Sequence, residues 1–186
     1  MIYKFDVFLD DKDYYEYNKF HLLRSPYGRR YKSLICFLFA AFALGAAALM
    51  VSTLGFVIEA LIAVIPMIVL SALLMLVYPY LVILILKLHI SVTKNSPKKN
   101  YSPKSTIEFY DESFAEETEL NKTETKYFAI ERISVTEHAI YMHMNSMTAY
   151  ILPTSTFESD EELDAFIDFL KTKNDKIFVY ARRKIC

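Results

Sequence analysis

Residues 148–170 read "TAYILPTSTFESDEELDAFIDFL", which predicts the last strand and the closing helix of an α+β module. The first residues alternate as a strand does, and Pro153 ends the run. Ser159 and Glu162 have the spacing of a capping box, which marks a helix start. The apolar residues that follow recur at helical spacing: Leu163, Phe166, Ile167 and Leu170. Such a stripe must lie against an apolar surface, and the nearest one is a sheet.

Runs with a period of two precede this stretch and predict a meander of short antiparallel strands. The predicted strands are residues 105–110, 113–120, 124–135, 139–144 and 147–152. Residues 105–186 are therefore expected to form a small antiparallel sheet or barrel, closed by a C-terminal amphipathic helix.

A long apolar block lies upstream of this module. Between Ser33 and Leu86 the only Asp, Glu, Lys, Arg or His residue is Glu59, which separates uncharged stretches of 26 and 27 residues. A helix needs about 20 residues to cross a hydrocarbon core. We expect transmembrane helices at residues 33–54 and 59–86, and the short loop between them requires an antiparallel hairpin.

The charges are segregated along the chain. Residues 24–32 and the linker 87–104 carry basic side chains and no acidic ones, whereas the turn between the helices has no Lys or Arg. The positive-inside rule therefore predicts a multi-pass cell-membrane protein with both termini in the cytoplasm. After Ser105 the chain has nine basic and sixteen acidic residues. This acidic balance argues against nucleic-acid binding.

Residues 1–32 are expected to hold a strand at residues 2–9 and a helix capped by Asp10 or Asp11. Four residues fall near one face of that helix: Tyr14, Tyr17, Phe20 and His21. They either pack on the soluble domain or at the membrane entry, or lie among lipid headgroups as part of an interfacial helix. Residues 81–92 also have two possible structures: they either continue the second helix beyond Pro79 or approach a first strand.

Residues 127–170, "YFAIERISVTEHAIYMHMNSMTAYILPTSTFESDEELDAFIDFL", resemble the YcxB-like family of bacterial membrane proteins. The resemblance implies a cytoplasmic domain similar to the pleckstrin-homology barrel, with no catalytic residue to carry over. In such a barrel, residues 2–9 and a strand after the second helix could complete the strand count. Thr154 and Ser155 stand where the family often has basic residues, and Phe128 or a neighbour where it commonly has Trp. This chain therefore departs from the family pattern at positions that could contact an anionic partner.

We predict no catalytic, cofactor-binding or metal-binding residue. The four histidines show no ligand spacing: His21, His89, His138 and His143. Three glycines cannot form a phosphate-binding loop, and no nucleophile elbow is present. Cys36 and Cys186 are expected to be structural bystanders, and Glu59 a solvated residue at the outer membrane boundary.

The favoured function is a membrane-anchored, non-catalytic interaction module that binds a protein partner through a strand edge or the barrel mouth. The expected partners are the lipid bilayer and a protein, with a second copy of the chain as a further option and no nucleic acid. One alternative is a small transport or sensing subunit whose helices oligomerise through the small residues 45–48 around Glu59. The other is a hydrolase acting on lipid, which would need an acid, a base and a nucleophile clustered in the folded domain.

Overall fold

The computed structural model describes residues 1–54, 57–93, 102–146 and 148–180; the side chain of Glu59 lies outside the described part. The four helices are α1 (Asp11–Leu23), α2 (Pro26–Leu54), α3 (Val57–Thr93) and α4 (Asp160–Lys173). The strands are β1 (Tyr3–Phe8), β2 (Lys104–Phe109), β3 (Ser113–Thr118), β4 (Lys122–Lys126), β5 (Arg132–Val135), β6 (Ala139–His143), β7 (Ala149–Pro153) and β8 (Ile177–Val179). Two short 3₁₀ turns cover Tyr127–Ala129 and Thr154–Thr156.

The chain divides into two compact units. Residues 1–17 and the residues from 90 onward form what we call the sheet unit, and Asn18–His89 form the helical unit. The sheet unit holds sheet A, in the order β1-β2-β3-β4, and sheet B, in the order β7-β6-β5-β8. Together with the long apolar helices, this confirms a helical hairpin plus α+β layout.

Strand β1 joins sheet A although the whole helical unit separates it from β2 in sequence. The two strands pair antiparallel, from Tyr3 opposite Phe109 to Phe8 opposite Lys104. The sequence left open whether residues 2–9 join the strand that follows the second helix, and the structure shows that they do. The helical unit is thus an insertion between two neighbouring strands of one sheet.

The single strand predicted at residues 124–135 is wrong, because a 3₁₀ turn breaks it. Tyr127 and Ile130 are both buried, and the Ile130 amide donates to the Tyr127 carbonyl at 3.0 Å. Two inward side chains three residues apart do not fit the period of two of a strand. The chain bends here and passes from sheet A to sheet B, so the two sheets stay separate and do not close into one barrel.

Strand β8 was not predicted, and it gives the meander its one parallel pair within the described residues. It lies along β5 with Ile133 opposite Ile177. The side-chain amide of Asn174, at the end of α4, donates to the carbonyl oxygens of Ile130 and Tyr127 at 3.0 and 3.4 Å. These bonds guide the chain from α4 onto the edge of sheet B.

Helix α4 packs on the sheets as its sequence predicted. The Ser159 hydroxyl accepts from the Glu162 amide at 3.2 Å, so Ser159 is the N-cap. All four residues of the apolar stripe are buried. Phe166 is central among them, because its ring lies 4.8 to 6.1 Å from five other aromatic rings: Tyr3, Phe5, Phe109, Phe157 and Phe169.

Helix α1 begins with a reciprocal cap. The Asp10 carboxylate accepts from the amides of Lys12 and Asp13 at 2.7 and 2.9 Å, and the Asp13 carboxylate accepts from the Asp10 amide at 3.1 Å. Tyr17 is buried, with its ring centroid 5.3 Å from that of Tyr141 in β6. For Tyr17, packing on the sheet unit is therefore the correct alternative.

The helical unit contains two helices long and apolar enough to cross a membrane, at Pro26–Thr53 and Val64–Val92, each with a mean hydropathy of 2.6. Helix α3 runs without a break to Thr93, so residues 81–92 continue it. Cys36 of α2 and Tyr78 of α3 line one apolar cavity of about 150 Å³. Because only residues 55 and 56 separate the helices, this contact requires an antiparallel hairpin.

Many of the described apolar side chains of these helices point outward. Phe37 and Phe42 of α2 are each 69% exposed, and Leu76 of α3 is 70% exposed. A core helix of a soluble domain buries such side chains. This pattern is the one expected where hydrocarbon, and not water, surrounds the helices.

The small-residue patch at residues 45–48 of α2 is only partly covered, since Ala46 and Ala47 are half-buried whereas Gly45 and Ala48 are exposed. Among the described residues, no atom outside the adjacent backbone of α2 lies within 4 Å of a Cβ built on Gly45. Ala43 is buried instead. The buried side of α2 is therefore turned away from Gly45, which leaves part of the patch open.

Gly28 has a definite structural role in the turn from α1 to α2. The Ser25 hydroxyl donates to the His21 carbonyl at 2.5 Å and accepts from the Gly28 amide at 3.1 Å. A Cβ at Gly28 would lie 2.2 Å from the Leu22 carbonyl oxygen. Because that atom belongs to the backbone, only a residue without a side chain fits the turn.

Gly28→Ala is expected to destabilise the helical unit by about 1 to 3 kcal/mol, because the α1–α2 turn must open to relieve the clash. Gly45→Ala is the matched control and is expected to be neutral or slightly stabilising, since the site is open and alanine favours helix. Thermal unfolding in detergent, followed by helical circular dichroism, measures both. Equal melting temperatures for the two variants would contradict the assigned role of Gly28.

Candidate interaction site

No group of three or more His, Cys, Asp or Glu side chains that could hold a metal ion occurs in the part of the chain that the structure describes. The two C-terminal histidines lie in different surroundings. His138 precedes β6, with its Nε2 3.3 Å from Glu137 and 3.6 Å from Glu16 of α1. His143 ends β6 and is buried opposite Arg132.

The outer face of sheet B carries a polar and aromatic layer. Ile140 and Met142 of β6 enter the core, whereas Tyr141 and His143 lie on the outer face with Tyr17 of α1. Burial raises the pKa of both tyrosines. Their phenols therefore stay protonated in the physiological range, which suits packing and hydrogen bonding better than proton transfer.

A cleft of about 370 Å³ lies beside β1. Its lining consists of side chains from β1 and from the segment around the start of α4: Lys4, Asp6, Phe8, the exposed Ser155, Glu158 and Glu162. Lys4 is paired with Glu108 at 3.0 Å, and this hydrogen bond raises the pKa of its ammonium group. The lining thus holds more carboxylates than cations.

Thr154 and Ser155, which stand where the family often has basic residues, have separate roles. Thr154 is buried, and its hydroxyl donates to the carbonyl oxygens of Glu137 and His138 at 3.2 and 3.1 Å. Ser155 is exposed at the cleft. Thr154 therefore holds the 3₁₀ turn against the β5–β6 connection, and Ser155 places no positive charge in the cleft.

The strands at the sheet edges differ in how well they are protected against pairing with another strand. Exposed edges are commonly protected by charged residues, by proline or by short length. Strand β4 carries Lys122, Glu124 and Lys126, and β7 ends in Pro153. Strand β8 carries none of these groups in its sequence "IFV", although it is short.

Two of the three β8 side chains are exposed, Phe178 by 50% and Val179 by 58%. The Ile133 amide donates to the Lys176 carbonyl, and the Tyr180 amide to the Val135 carbonyl. In a parallel ladder the backbone groups alternate in direction, so the amides of Ile177 and Val179 point away from β5. No strand pairs with that outer side within the described ranges.

Glu116 of β3 is a half-buried carboxyl on the same face as the core residue Phe114. Burial raises its pKa, and a hydrogen bond with Ser105 offsets part of the shift. The folded protein therefore binds this proton more tightly than the unfolded chain does. Stability is lost as the pH rises through the raised pKa of Glu116.

Glu116→Gln is consequently expected to raise the melting temperature of the sheet unit by a few degrees at neutral pH, with the difference shrinking as the pH falls toward the ordinary glutamate range. Glu119→Gln, on an exposed turn, is the matched control. Thermal melts across a pH series measure the effect. A Glu116→Gln advantage that persists unchanged in acid would refute the assignment to ionisation.

Phe128 and Leu120 were not singled out as exposed residues by the sequence. Phe128 lies in the 3₁₀ turn after β4 and is 84% exposed, and Leu120 lies in the β3–β4 turn and is 97% exposed. An alternating pattern predicts which face a strand residue takes, but a residue in a turn has no such rule.

The two-sheet arrangement with a C-terminal helix defines the chain as an α+β protein with a helical-hairpin insertion. The family model for YcxB-like proteins matches residues 109–170, which confirms the resemblance over β3 to α4. No curated protein and no solved structure matches the chain.

Proposed function

We propose that this protein is a membrane-anchored, non-catalytic interaction module, with α2 and α3 crossing the lipid bilayer and the sheet unit binding a protein partner. The observation that carries the proposal is the pairing of β1 with β2. Paired strands lie on the same side of a membrane, so the chain between them must cross it an even number of times. Two helices of spanning length meet that condition.

The charges favour the cytoplasmic side for the sheet unit. Arg29, Arg30 and Lys32 lie exposed in the first turns of α2, and Lys87 is exposed toward the end of α3. In an antiparallel hairpin these ends lie at the same membrane surface. Lys and Arg near membrane spans are retained in the cytoplasm.

The pleckstrin-homology-like character of the sheet unit is part of the proposal. Strands β1 to β4 in one sheet, β5 to β7 in the next and a helix after them have the strand count and order of that fold. The shared architecture suits a binding domain, but it does not by itself identify a ligand.

Membrane topology can be tested with single-cysteine variants in a background lacking Cys36 and Cys186. A membrane-impermeant maleimide applied to intact cells is expected to label Gly55→Cys and to spare Ile2→Cys and Glu119→Cys, which react after permeabilisation. Labelling of only one of the last two in intact cells would contradict the same-side arrangement. If none of the three variants is labelled in intact cells, the claim that the helices cross the membrane is contradicted.

The partner is proposed to add a strand to the outer edge of β8, where apolar side chains and outward amides lie together. Main-chain hydrogen bonds then supply affinity and the side chains supply specificity. Val179→Pro removes one outward amide, whereas Val179→Thr keeps the amide and the branched shape. Photo-crosslinking from Phe178 in native membranes should recover a partner with the Thr variant and lose it with the Pro variant. Recovery of no partner by the unaltered chain would count against the proposal.

The open side of α2 at Gly45 and Ala48 favours one alternative, a subunit of a transport or sensing complex assembled through these residues. Gly45→Leu, which blocks close helix approach, and Glu59→Gln would then reduce assembly and ion flux. Unchanged assembly and flux in both variants eliminates this alternative.

A further inference from the structure

The apolar cavity between α2 and α3 has one charged end. Lys32 is the only charged side chain among the described residues that line it. On α2 the lining runs from Lys32 to Phe39. On α3 it runs from Leu81 back to Leu74. Each stretch covers seven residue steps, a rise of about 10 Å. We call this cavity the slot, and it extends along the hairpin from Lys32 toward the turn between the helices.

The position of Lys32 along α2 matches the inner surface of a bilayer. Leu54, the last residue of α2, lies 22 positions after Lys32, which corresponds to a helix length of about 33 Å. The hydrocarbon core of a bilayer is about 30 Å thick. With the turn between the helices at the outer surface, as proposed above, Lys32 lies at the level of the cytoplasmic headgroups. The slot then lies in the cytoplasmic leaflet, where acyl chains surround it.

An empty apolar slot that opens onto lipid is unfavourable, because its lining lacks contacts on one side. A volume of about 150 Å³ is large enough for a benzene ring, and thus for a short length of acyl chain. From these observations we infer that the slot holds an acyl chain of an anionic phospholipid, whose phosphate is bound by Lys32. The inference rests on the proposed membrane anchoring and names a ligand for the anchor.

The groups around Lys32 favour an anionic headgroup. Arg29 is exposed one turn earlier on the same side of α2, because residues three apart are neighbours on a helix. Residues 24–32 include no acidic side chain. Tyr78 of α3 also lines the slot, and its hydroxyl is a hydrogen-bond donor for a phosphate or ester oxygen. Two cations beside an apolar slot complement an acidic headgroup and its chain.

The opposite side of α2 provides a matched control. Successive residues turn by about 100° around a helix, so Phe37 lies almost opposite Phe39 at nearly the same depth. Arg30 lies on the same side as Phe37, seven residues earlier. Phe37 is 69% exposed and is not among the residues that line the slot. This side thus combines one cation and an aromatic ring outside the slot.

The chain contains no tryptophan, so a single introduced indole reports on its own surroundings. Phe39→Trp and Phe37→Trp are reconstituted as full chains in phosphatidylcholine vesicles. A small fraction of the lipid is replaced by brominated phosphatidylglycerol or by brominated phosphatidylcholine. The two quenching curves give the affinity of each position for the anionic lipid relative to phosphatidylcholine. Equal helical circular dichroism confirms that the variants are folded.

The relative affinity for phosphatidylglycerol is expected to be roughly fivefold higher at Phe39→Trp than at Phe37→Trp, which is the effect of one additional cation near the membrane surface. Adding Lys32→Gln to Phe39→Trp should remove this difference, whereas adding Arg30→Gln should not reduce the preference at Phe39→Trp. Cys36→Phe, which fills the slot, should lower the quenching of Phe39→Trp by both lipids.

Equal preference for phosphatidylglycerol at the two positions, with strong quenching at both, would leave the anchor intact and overturn the lipid site. A difference that survives Lys32→Gln also overturns it, because Lys32 then does not bind the headgroup. If Phe39→Trp is shielded from both lipids while Phe37→Trp is quenched, another protein segment covers the slot and the inference fails. Absence of quenching at both positions would refute the membrane anchoring itself.

Discussion

Val7→Asp is expected to unfold the sheet unit, although most of that unit lies beyond residue 103. Val7 is buried in the core and lies opposite Ser105 of β2. A carboxylate placed there without a partner costs several kcal/mol. A domain has only about 5 to 15 kcal/mol of stability in total. Limited proteolysis of the full chain in membranes should show rapid cleavage within residues 105–180.

Phe8→Asp is the control for this variant, since it changes the next residue of the same strand at an exposed position. Its proteolysis pattern is expected to match that of the unaltered chain. Resistance of Val7→Asp equal to that of Phe8→Asp would mean that the C-terminal strands fold without β1. The insertion of the hairpin between two strands of one sheet would then be incorrect.

Phe166→Ala is expected to cost about 3 to 5 kcal/mol of stability, the range for removing a large aromatic side chain from a core. Phe166 is fully buried and contacts rings from β1, β2 and the segment before α4. It therefore joins the N-terminal strand to the C-terminal helix. Denaturant unfolding of the sheet signal in detergent measures the loss.

Phe128→Ala is the matched control for Phe166→Ala, because it removes the same aromatic ring from an exposed site. Exposed substitutions of this kind usually alter stability by less than about 0.5 kcal/mol. A loss at Phe166 no larger than at Phe128 would show that α4 does not hold the two sheets together.

The parts of the fold that the sequence predicted are those governed by one local rule. The stripe of α4 follows helical spacing, and its cap follows the spacing of Ser159 and Glu162. The two long helices follow from uninterrupted apolar length. In each case the structure agrees with the local pattern, so no knowledge of distant contacts was needed.

The errors occur where a distant contact decides the structure. The apolar run at residues 127–130 is compatible with a strand, yet the chain bends there because Tyr127 and Ile130 both enter the core. Strand β8 forms because the edge of β5 offers backbone groups for pairing. The three residues of β8 do not reveal this partner in the sequence.

The candidate interaction site was the least predictable part. The sequence identified the absence of a recognisable catalytic pattern and proposed a strand edge, but not which edge. That choice depends on the order of strands in two sheets and on the exposure of Phe178 and Val179. Likewise, Thr154 and Ser155 are neighbours in sequence, and only their packing separates a buried structural hydroxyl from an exposed one.

The central claim, that the two flanks of the helical hairpin form one sheet, is tested most directly by a cross-strand disulfide. Asp6 lies opposite Thr106, and the Thr106 hydroxyl donates to the Asp6 carboxylate at 2.7 Å. A chain with Asp6→Cys and Thr106→Cys, without its natural cysteines and with a protease site in the 94–101 linker, is oxidised in membranes and then cut. The two fragments should stay joined until reduced, whereas an Asp6→Cys and Lys122→Cys control should separate. Separation of the Asp6→Cys and Thr106→Cys fragments without reduction would contradict the account.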